Sequence, residues 1–313
     1  MTINQKFIDK FVYITSKAAI ASYPLVGKNN KVEADKAAVD SMRNELNKLD
    51  INGKIVIGEG ELDEAPMLFI GEKVGTTNGP EIDIAVDPLE GTNFVAKNLP
   101  GALSVIAIAE KNNLFNAPET YMEKISTKVN EKGIVDLDYS VKKNIFNLSE
   151  YLNKKPESIT ACIMDRPRHK DIIDQLNILG VNIKLITDGD VSGALLVTDD
   201  KYGVDIFLGI GGGPEGVLAS AALDTFECSF QGRFLFQTEE DKRRANKMGI
   251  VDLTKKYELE EIVRGDSIFC ATGITSGDLV SGIRTHNNEF ISETLVTHKS
   301  TGLKKIIKKV ANR

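Results

Sequence analysis

The chain has 313 residues, of which 42% are hydrophobic and 27% charged, and its formal net charge at pH 7 is −6. These values are typical of a globular protein with one large or two medium α/β domains, and the scattered basic residues argue against nucleic-acid binding by bulk electrostatics. No window approaches the ~18 consecutive apolar residues of a membrane span, and charged residues interrupt the N-terminal segment, which is atypical of a signal peptide. Cys162, Cys228 and Cys270 form no C-x-x-C pair, as expected in a reducing compartment. We therefore expect a cytoplasmic protein without membrane or nucleic-acid partners.

Apolar periodicity predicts alternating helices and strands along the chain. The predicted helices span residues 4–22, 33–49, 169–179 and 214–223, and the predicted strands span residues 54–57, 82–86, 103–109, 159–164, 183–187, 204–210 and 267–271. This alternation favours an α/β fold with sheets covered by helices. The polar, proline-containing stretch at 145–158 predicts a boundary between two α/β lobes, residues 1–150 and 151–313.

Acidic residues follow the first predicted strand. In "KIVIGEGELDEAP", Gly58 and Gly60 allow the backbone to turn, so Glu59 lies at the end of a strand, where α/β sheets commonly bind ligands. Solvation in a loop is the alternative for this Glu, as it is for Glu61 and its acidic neighbours Asp63 and Glu64.

The second predicted strand also ends in acids, in "EIDIAVDPLEGTN". Asp87 before Pro88 could be a helix N-cap, but an N-cap gives no reason for Glu90 and Thr92. A binuclear divalent-metal site would account for all three, because Mg²⁺ and Mn²⁺ prefer oxygen ligands and unpaired carboxylates repel one another unless a cation lies between them. Thr92 could then position a water molecule that attacks phosphorus.

These segments belong to a longer series of motifs that resembles a known family. The strings "VIGEGELDEAPMLFIGEKVG", "IDIAVDPLEGT", "NAPETYMEK", "RPRH", "DGDV", "GIGGGPEGV" and "ATGITSGDLV" occur in order from about Ala18 to Thr297. They are similar to the class II (GlpX-type) fructose-1,6-bisphosphatases, within the lithium-sensitive, metal-dependent sugar and inositol phosphatase superfamily. The resemblance implies a layered α/β sandwich of the sugar phosphatase type, with two lobes and the active site between them.

The resemblance also implies which residues form the site. One metal ion, Mg²⁺ or Mn²⁺, would be held by Asp35 of "EADKAAV" and Glu59, and a second by Asp87, Glu90 and Glu215. Thr92, Glu59 and Asp87 would be catalytic, whereas Glu61, Asp63 and Glu64 are expected to be supporting or solvated groups. The expected substrate-binding residues are Glu90, Gly91, Thr92, Tyr121, Arg166, Arg168, Asp188, Gly189, Asp190 and Gly212. Arginine suits this role because its guanidinium binds phosphate in a bidentate manner, and for His169 we expect a surface or supporting position.

The glycine-rich segment "GIGGGPEGV" also matches a dinucleotide-binding pattern, with glycines at 211, 213 and 216. Pro214 removes a hydrogen-bond donor, and Glu215 would repel a pyrophosphate unless a cation intervened. The same turn could hold a sugar phosphate, with Glu215 directed to a metal.

The resemblance implies a phosphoric monoester hydrolase of gluconeogenesis. It would use a divalent metal to hydrolyse the 1-phosphate of fructose 1,6-bisphosphate, and would assemble as a homodimer or homotetramer. The alternatives are an enzyme that also accepts sedoheptulose 1,7-bisphosphate and an inositol monophosphatase, the latter disfavoured because the chain has no Trp. A nicotinamide-dependent oxidoreductase and a non-catalytic sugar-phosphate sensor are alternatives from other classes. The oxidoreductase rests only on the glycine-rich pattern, and a sensor would not need the acidic residues.

Overall fold

The computed structural model describes residue 3 and residues 5–60 and 67–313 of the chain. In chain order, the α-helices are α1 (Phe7–Ser22), α2 (Lys31–Leu46), α3 (Thr92–Lys97), α4 (Val141–Tyr151), α5 (Lys170–Ile178), α6 (Asp190–Leu195), α7 (Gly213–Phe226), α8 (Glu239–Lys247) and α9 (Leu259–Ile262). The strands are β1 (Asn52–Ile57), β2 (Lys73–Val74), β3 (Glu81–Glu90), β4 (Leu103–Glu110), β5 (Tyr121–Thr127), β6 (Thr160–Met164), β7 (Asn182–Ile186), β8 (Ile206–Gly212), β9 (Ser229–Leu235), β10 (Lys256–Glu258), β11 (Ser267–Gly273), β12 (Arg284–His286), β13 (Glu289–His298) and β14 (Leu303–Asn312). The fold is α/β, as predicted, and every helix and strand predicted from periodicity is present. No helix within the described residues is long and apolar enough to cross a membrane.

The chain forms two compact units, residues 1–116 with 263–313 and residues 117–262. This division differs from the expected lobes of residues 1–150 and 151–313. The chain returns to the first unit because β11 pairs antiparallel with β4 along its whole length. The expected boundary at 145–158 instead overlaps α4, whose Ile145 and Leu148 are fully buried.

The first unit contains a sheet in the order β12-β13-β11-β4-β3-β1-β2, with β14 paired to β13. The helices α1 and α2 pack against it through a shared core that includes Phe11, Met42 and Ile84. The helix α2 begins after Asn30, whose side-chain oxygen accepts a hydrogen bond from the Glu33 N–H and so caps an otherwise unsatisfied donor.

The second unit contains a sheet in the order β10-β9-β5-β8-β6-β7. Its strands β6 and β7 are parallel, as are β6 and β8, whereas β5 runs antiparallel to both β8 and β9. At one end of β5 and β8, Tyr121 pairs with Gly212. The glycine-rich turn therefore starts beside the first residue of β5.

Candidate active site

A β-bulge places Asp87 and Glu90 on the same face of the first sheet. In β3 they are three residues apart, but their partners on β4, Val105 and Leu103, are two apart, so β3 contains one extra residue. Paired residues of antiparallel strands share a face, and residues two apart on a strand share a face as well. In a regular strand Asp87 and Glu90 would point to opposite sides. The bulge therefore creates a carboxylate pair, of which Glu90 is 4% exposed and Asp87 is half-buried.

A left-handed glycine follows the bulge. Gly91 has φ +81°, and a Cβ there would lie 2.7 Å from Cδ2 of Phe94, so only glycine fits without strain. The turn starts α3 at Thr92, which is half-buried. The hydroxyl group of Thr92, which was predicted to position the attacking water, thus belongs to the first residue of a helix, two residues after Glu90.

The end of β1 is shaped by close backbone contacts. Glu59 N–H donates to the carbonyl oxygen of Leu68 at 3.0 Å, and a Cβ on Gly58 would lie 1.9 Å from the same oxygen. Gly58 is therefore required for this approach, which holds the half-buried Glu59 at the strand end. Glu61, Asp63 and Glu64 lie outside the described residues.

Asp35 lies in α2, directly after the fully buried Ala34, and is itself half-buried. Burial raises the pKa of its carboxyl group, because removal from water disfavours the charged form. Across residues 5–60 and 67–313, no three acidic, histidine or cysteine side chains are grouped so as to hold a metal ion. The metal centre implied by the family resemblance therefore stays a prediction.

In the second unit, two carboxylates lie against the glycines that end β8. A Cβ on Gly211 would lie 2.0 Å from Oδ2 of Asp190, and one on Gly212 would lie 1.8 Å from Oε2 of Glu215. The glycines at these positions are what allow both carboxylates to approach the backbone. Burial is the largest cause of the raised pKa of Glu215, and Asp190 raises that pKa further.

A buried lysine that the sequence reasoning missed lies beside these acids. Lys124 on β5 is 2% exposed; its Nζ donates to Oδ2 of Asp190 and, at 2.6 Å, to the carbonyl oxygen of Gly212. Lys124 also lowers the pKa of Glu215, opposing the effect of burial. The spacing in "YMEK" could have revealed Lys124, because residues two apart on a strand share a face and Met122, two residues before Lys124, is apolar and buried.

The predicted phosphate-binding side chains lie in the same unit. Nε of Arg168 donates to the carbonyl oxygen of Ile210 at 2.9 Å, and its guanidinium lies 4.8 Å from the ring centroid of Tyr121. Nη2 of Arg166 lies 3.8 Å from Oδ1 of Asp188. Tyr121 is 42% exposed and Arg166 is half-buried, so these groups are ordered by contacts yet remain accessible.

His169 is buried and links two strands, so of the two positions expected for it the surface one is wrong and the supporting one fits. It is 0% exposed; its Nδ1 lies 2.7 Å from the carbonyl oxygen of Met164, and its Nε2 accepts a 2.7 Å hydrogen bond from the Ile210 N–H. A neutral ring protonated on Nδ1 satisfies both of these bonds, and burial lowers the pKa of His169. The ring ties the end of β6 to β8 next to Arg168.

Comparison with known proteins identifies the class of enzyme. Residues 5–311 match the family described as bacterial fructose-1,6-bisphosphatase, glpX-encoded. A protein named D-fructose 1,6-bisphosphatase class 2/sedoheptulose 1,7-bisphosphatase from Synechococcus sp. (strain JA-3-3Ab) is 42% identical over 312 residues, covering 92% of this chain and 90% of that protein. A protein of the same name from Prochlorococcus marinus (strain MIT 9301) is 41% identical over 308 residues, covering 94% of this chain and 92% of that protein.

A weaker likeness links the chain to a solved structure. The extragenic suppressor protein SuhB from Bartonella henselae is 13% identical, with a TM-score of 0.35, and the match covers 62% of this chain and 74% of that one. This likeness supports no statement about function.

The chain is a phosphatase, a hydrolase of carbohydrate metabolism. It belongs to the family of glpX-encoded bacterial fructose-1,6-bisphosphatases. The resemblance inferred from its motifs is thereby confirmed.

Proposed function

We propose that the protein hydrolyses the 1-phosphate of fructose 1,6-bisphosphate, in a metal-dependent reaction that yields fructose 6-phosphate and inorganic phosphate in gluconeogenesis. The observation that carries this proposal is the β3 bulge, which presents Asp87 and Glu90 on one face in a chain that matches the family along nearly its whole length.

The donor set fits Mg²⁺ or Mn²⁺, because it consists of carboxylates and these ions prefer oxygen ligands. In this proposal Asp35 and Glu59 would hold one ion and Asp87 and Glu90 the other, and Glu215 is the further ligand of the second ion that the family resemblance implies. Glu90 is 4% exposed and Asp87 is half-buried, and a cation bound by both would offset the repulsion between two carboxylates on one face. When bound there, a divalent metal would neutralise charge at the transferring phosphoryl group.

The remaining residues bind and orient the substrate. The Thr92 hydroxyl, held at the start of α3, orients the attacking water by a hydrogen bond next to the catalytic carboxylates Glu59 and Asp87. Arg166 and Arg168 bind phosphate oxygens through their guanidinium groups. The sugar is held by the other predicted contacts, Glu90, Gly91, Tyr121, Asp188, Gly189, Asp190 and Gly212.

Phosphate release from fructose 1,6-bisphosphate tests the proposal, measured with Mg²⁺, with Mn²⁺ and with a chelator. We expect release with at least one ion and none with the chelator, and a loss of at least about 100-fold in Asp87→Ala. Glu81→Ala is the matched control, because Glu81 is an exposed carboxylate at the opposite end of β3 that pairs with the exposed Lys111. Metal-independent release, or no release with either ion, would overturn the proposal.

A second substrate is favoured by the names of the relatives, which include sedoheptulose 1,7-bisphosphatase. Steady-state kinetics with both bisphosphates would decide between one and two activities. Values of kcat/KM within about tenfold of each other would establish a bifunctional enzyme, whereas a larger preference for fructose 1,6-bisphosphate would establish the narrow one.

We also propose a cytoplasmic location and a homodimeric or homotetrameric assembly. The three cysteines are buried and form no disulfide with one another, which supports a reducing compartment. Light scattering on the purified protein would give the assembly state, and a monomeric mass would contradict the proposed assembly.

A further inference from the structure

Lys124 is the most buried charged side chain near the glycine-rich turn. A lysine is rarely this buried unless it is paired, and an ion pair removed from water is often no more stabilising than a well-packed apolar pair. Lys124 lies on β5, where its buried neighbours include Met122 and Ile125. A purely structural role would therefore be served as well by an apolar residue.

The contacts of Lys124 join two turns that belong to different parts of the sheet. The acidic turn, residues 188–190, follows β7 and ends at the first residue of α6, and the glycine turn, residues 211–213, consists of the last two residues of β8 and the first residue of α7. Nζ of Lys124 donates to Oδ2 of Asp190 in the first turn and to the carbonyl oxygen of Gly212 in the second. The strand β5 thus holds both turns through one ammonium group.

A direct contact between the turns completes this connection. The carboxylate of Asp190 lies against Cα of Gly211, at a distance that leaves no space for a Cβ. The side chain of Asp190 is 8% exposed, and its Oδ1 has no hydrogen-bond partner among the described residues. The geometry of Asp190 is therefore set by Lys124 on one side and by the glycine backbone on the other.

We propose that Lys124 is a positioning residue, which acts through Asp190 and Gly212 to fix the acidic turn relative to the glycine turn and so orients the sugar phosphate. The inference rests on the proposed function, because both turns carry predicted substrate contacts, Asp188 and Gly189 in one and Gly212 in the other. Lys124 itself need not touch the substrate.

The test compares Lys124→Met, Lys124→Arg, Asp190→Asn and the double variant Lys124→Met/Asp190→Asn with the wild-type enzyme. We expect kcat/KM for fructose 1,6-bisphosphate to fall on the order of 100-fold in Lys124→Met, as for misplacement of a bound substrate by about 1 Å, with a rise in KM and a fall in kcat. The Kd of fructose 6-phosphate, measured by calorimetry, should rise with KM. Lys124→Arg, which keeps the charge and the donors, should recover part of the loss.

The double variant tests whether Lys124 acts through Asp190. If it does, kcat/KM of the double variant should be no lower than that of the less active single variant, because both substitutions remove the same contact. It also removes both charges of the buried Lys124–Asp190 pair, so it remains measurable even if Lys124→Met fails to fold. Lys128→Met is the matched control, because Lys128 directly follows β5 and pairs with the exposed Asp200.

Two results would overturn the inference. One is a folded Lys124→Met variant whose KM and product Kd stay within about twofold of wild type, with only its melting temperature lowered. The other is a double variant in which the two single losses multiply. A wild-type enzyme that releases no phosphate would instead refute the proposed function, so the two failures are distinguishable.

Discussion

The substitution Gly212→Ala should lower kcat/KM strongly while leaving the free energy of unfolding nearly unchanged. Gly212 has φ −66° and ψ 141°, a conformation that alanine adopts without strain. The new methyl group would lie 1.8 Å from Oε2 of Glu215, so that carboxylate must shift by roughly 1.5 Å to reach ordinary contact distance. The obstacle is the end of a flexible side chain rather than backbone. The free energy of unfolding should therefore change by less than about 1 kcal/mol.

The expected loss of activity is much larger. A displacement of about 1 Å at a reacting site can cost on the order of 100-fold, so we expect at least that loss in kcat/KM, with a higher metal concentration needed for half-maximal rate. The assay is phosphate release against metal concentration, combined with urea unfolding.

Gly203→Ala is the matched control for this variant. Gly203 lies near the other end of β8, with φ +65° and no atom within 4 Å of an added Cβ. Its substitution should cost about 1 kcal/mol of stability through backbone strain and leave kcat/KM unchanged. A Gly212→Ala enzyme with near wild-type activity, or one that loses stability instead, would refute the reasoning.

Three further predictions follow from buried groups. Gly58→Ala should lower the free energy of unfolding by about 2 kcal/mol or more, because its Cβ would meet the backbone oxygen of Leu68 at 1.9 Å; urea unfolding with an unchanged midpoint would contradict this. Because burial lowers the pKa of His169, the unfolded chain binds a proton below about pH 6.5 that the folded chain does not. Stability should therefore fall as the pH drops from 6.5 toward that lowered pKa, and this part of the pH dependence should be missing in His169→Gln. Cys162 and Cys270 are 0% exposed and burial raises the pKa of Cys270, so Ellman's reagent should leave both unmodified in the native protein and label them in denaturant; rapid native labelling of either would be inconsistent with the structure.

The predicted secondary structure succeeded where the pattern was strong and local. The helices α1, α2, α5 and α7 and the strands from β1 to β11 that carry continuous apolar runs were found within a few residues. The strand β5 was missed because the adjacent charged residues Glu123 and Lys124 interrupt the apolar positions of "YMEKIST". Sequence rules assign a lysine to the surface, and only the pairing of β5 with β8 and β9 explains its burial.

The division of the chain into two units could not be read from local sequence. A polar stretch at 145–158 resembled a linker, but α4 buries Ile145 and Leu148 in the second core. The C-terminal residues join the first unit through the pairing of β11 with β4, which lie more than 150 residues apart. Such contacts depend on strand pairing at long range, which composition and periodicity do not encode.

The sequence by itself determined the kind of chemistry, because carboxylates after strands, the glycine-rich turn and the arginine segment occur as ordered motifs. It identified the family and the residue types that a phosphatase of this family needs. Only the tertiary structure decided how these residues are presented. The bulge that turns Asp87 and Glu90 to one face depends on the pairing of β3 with β4, and the approach of the Asp190 carboxylate to Gly211 depends on the packing of α6 against β8. Local motifs name the chemical groups, whereas their orientation is set by packing and strand register, which form only when the whole chain folds.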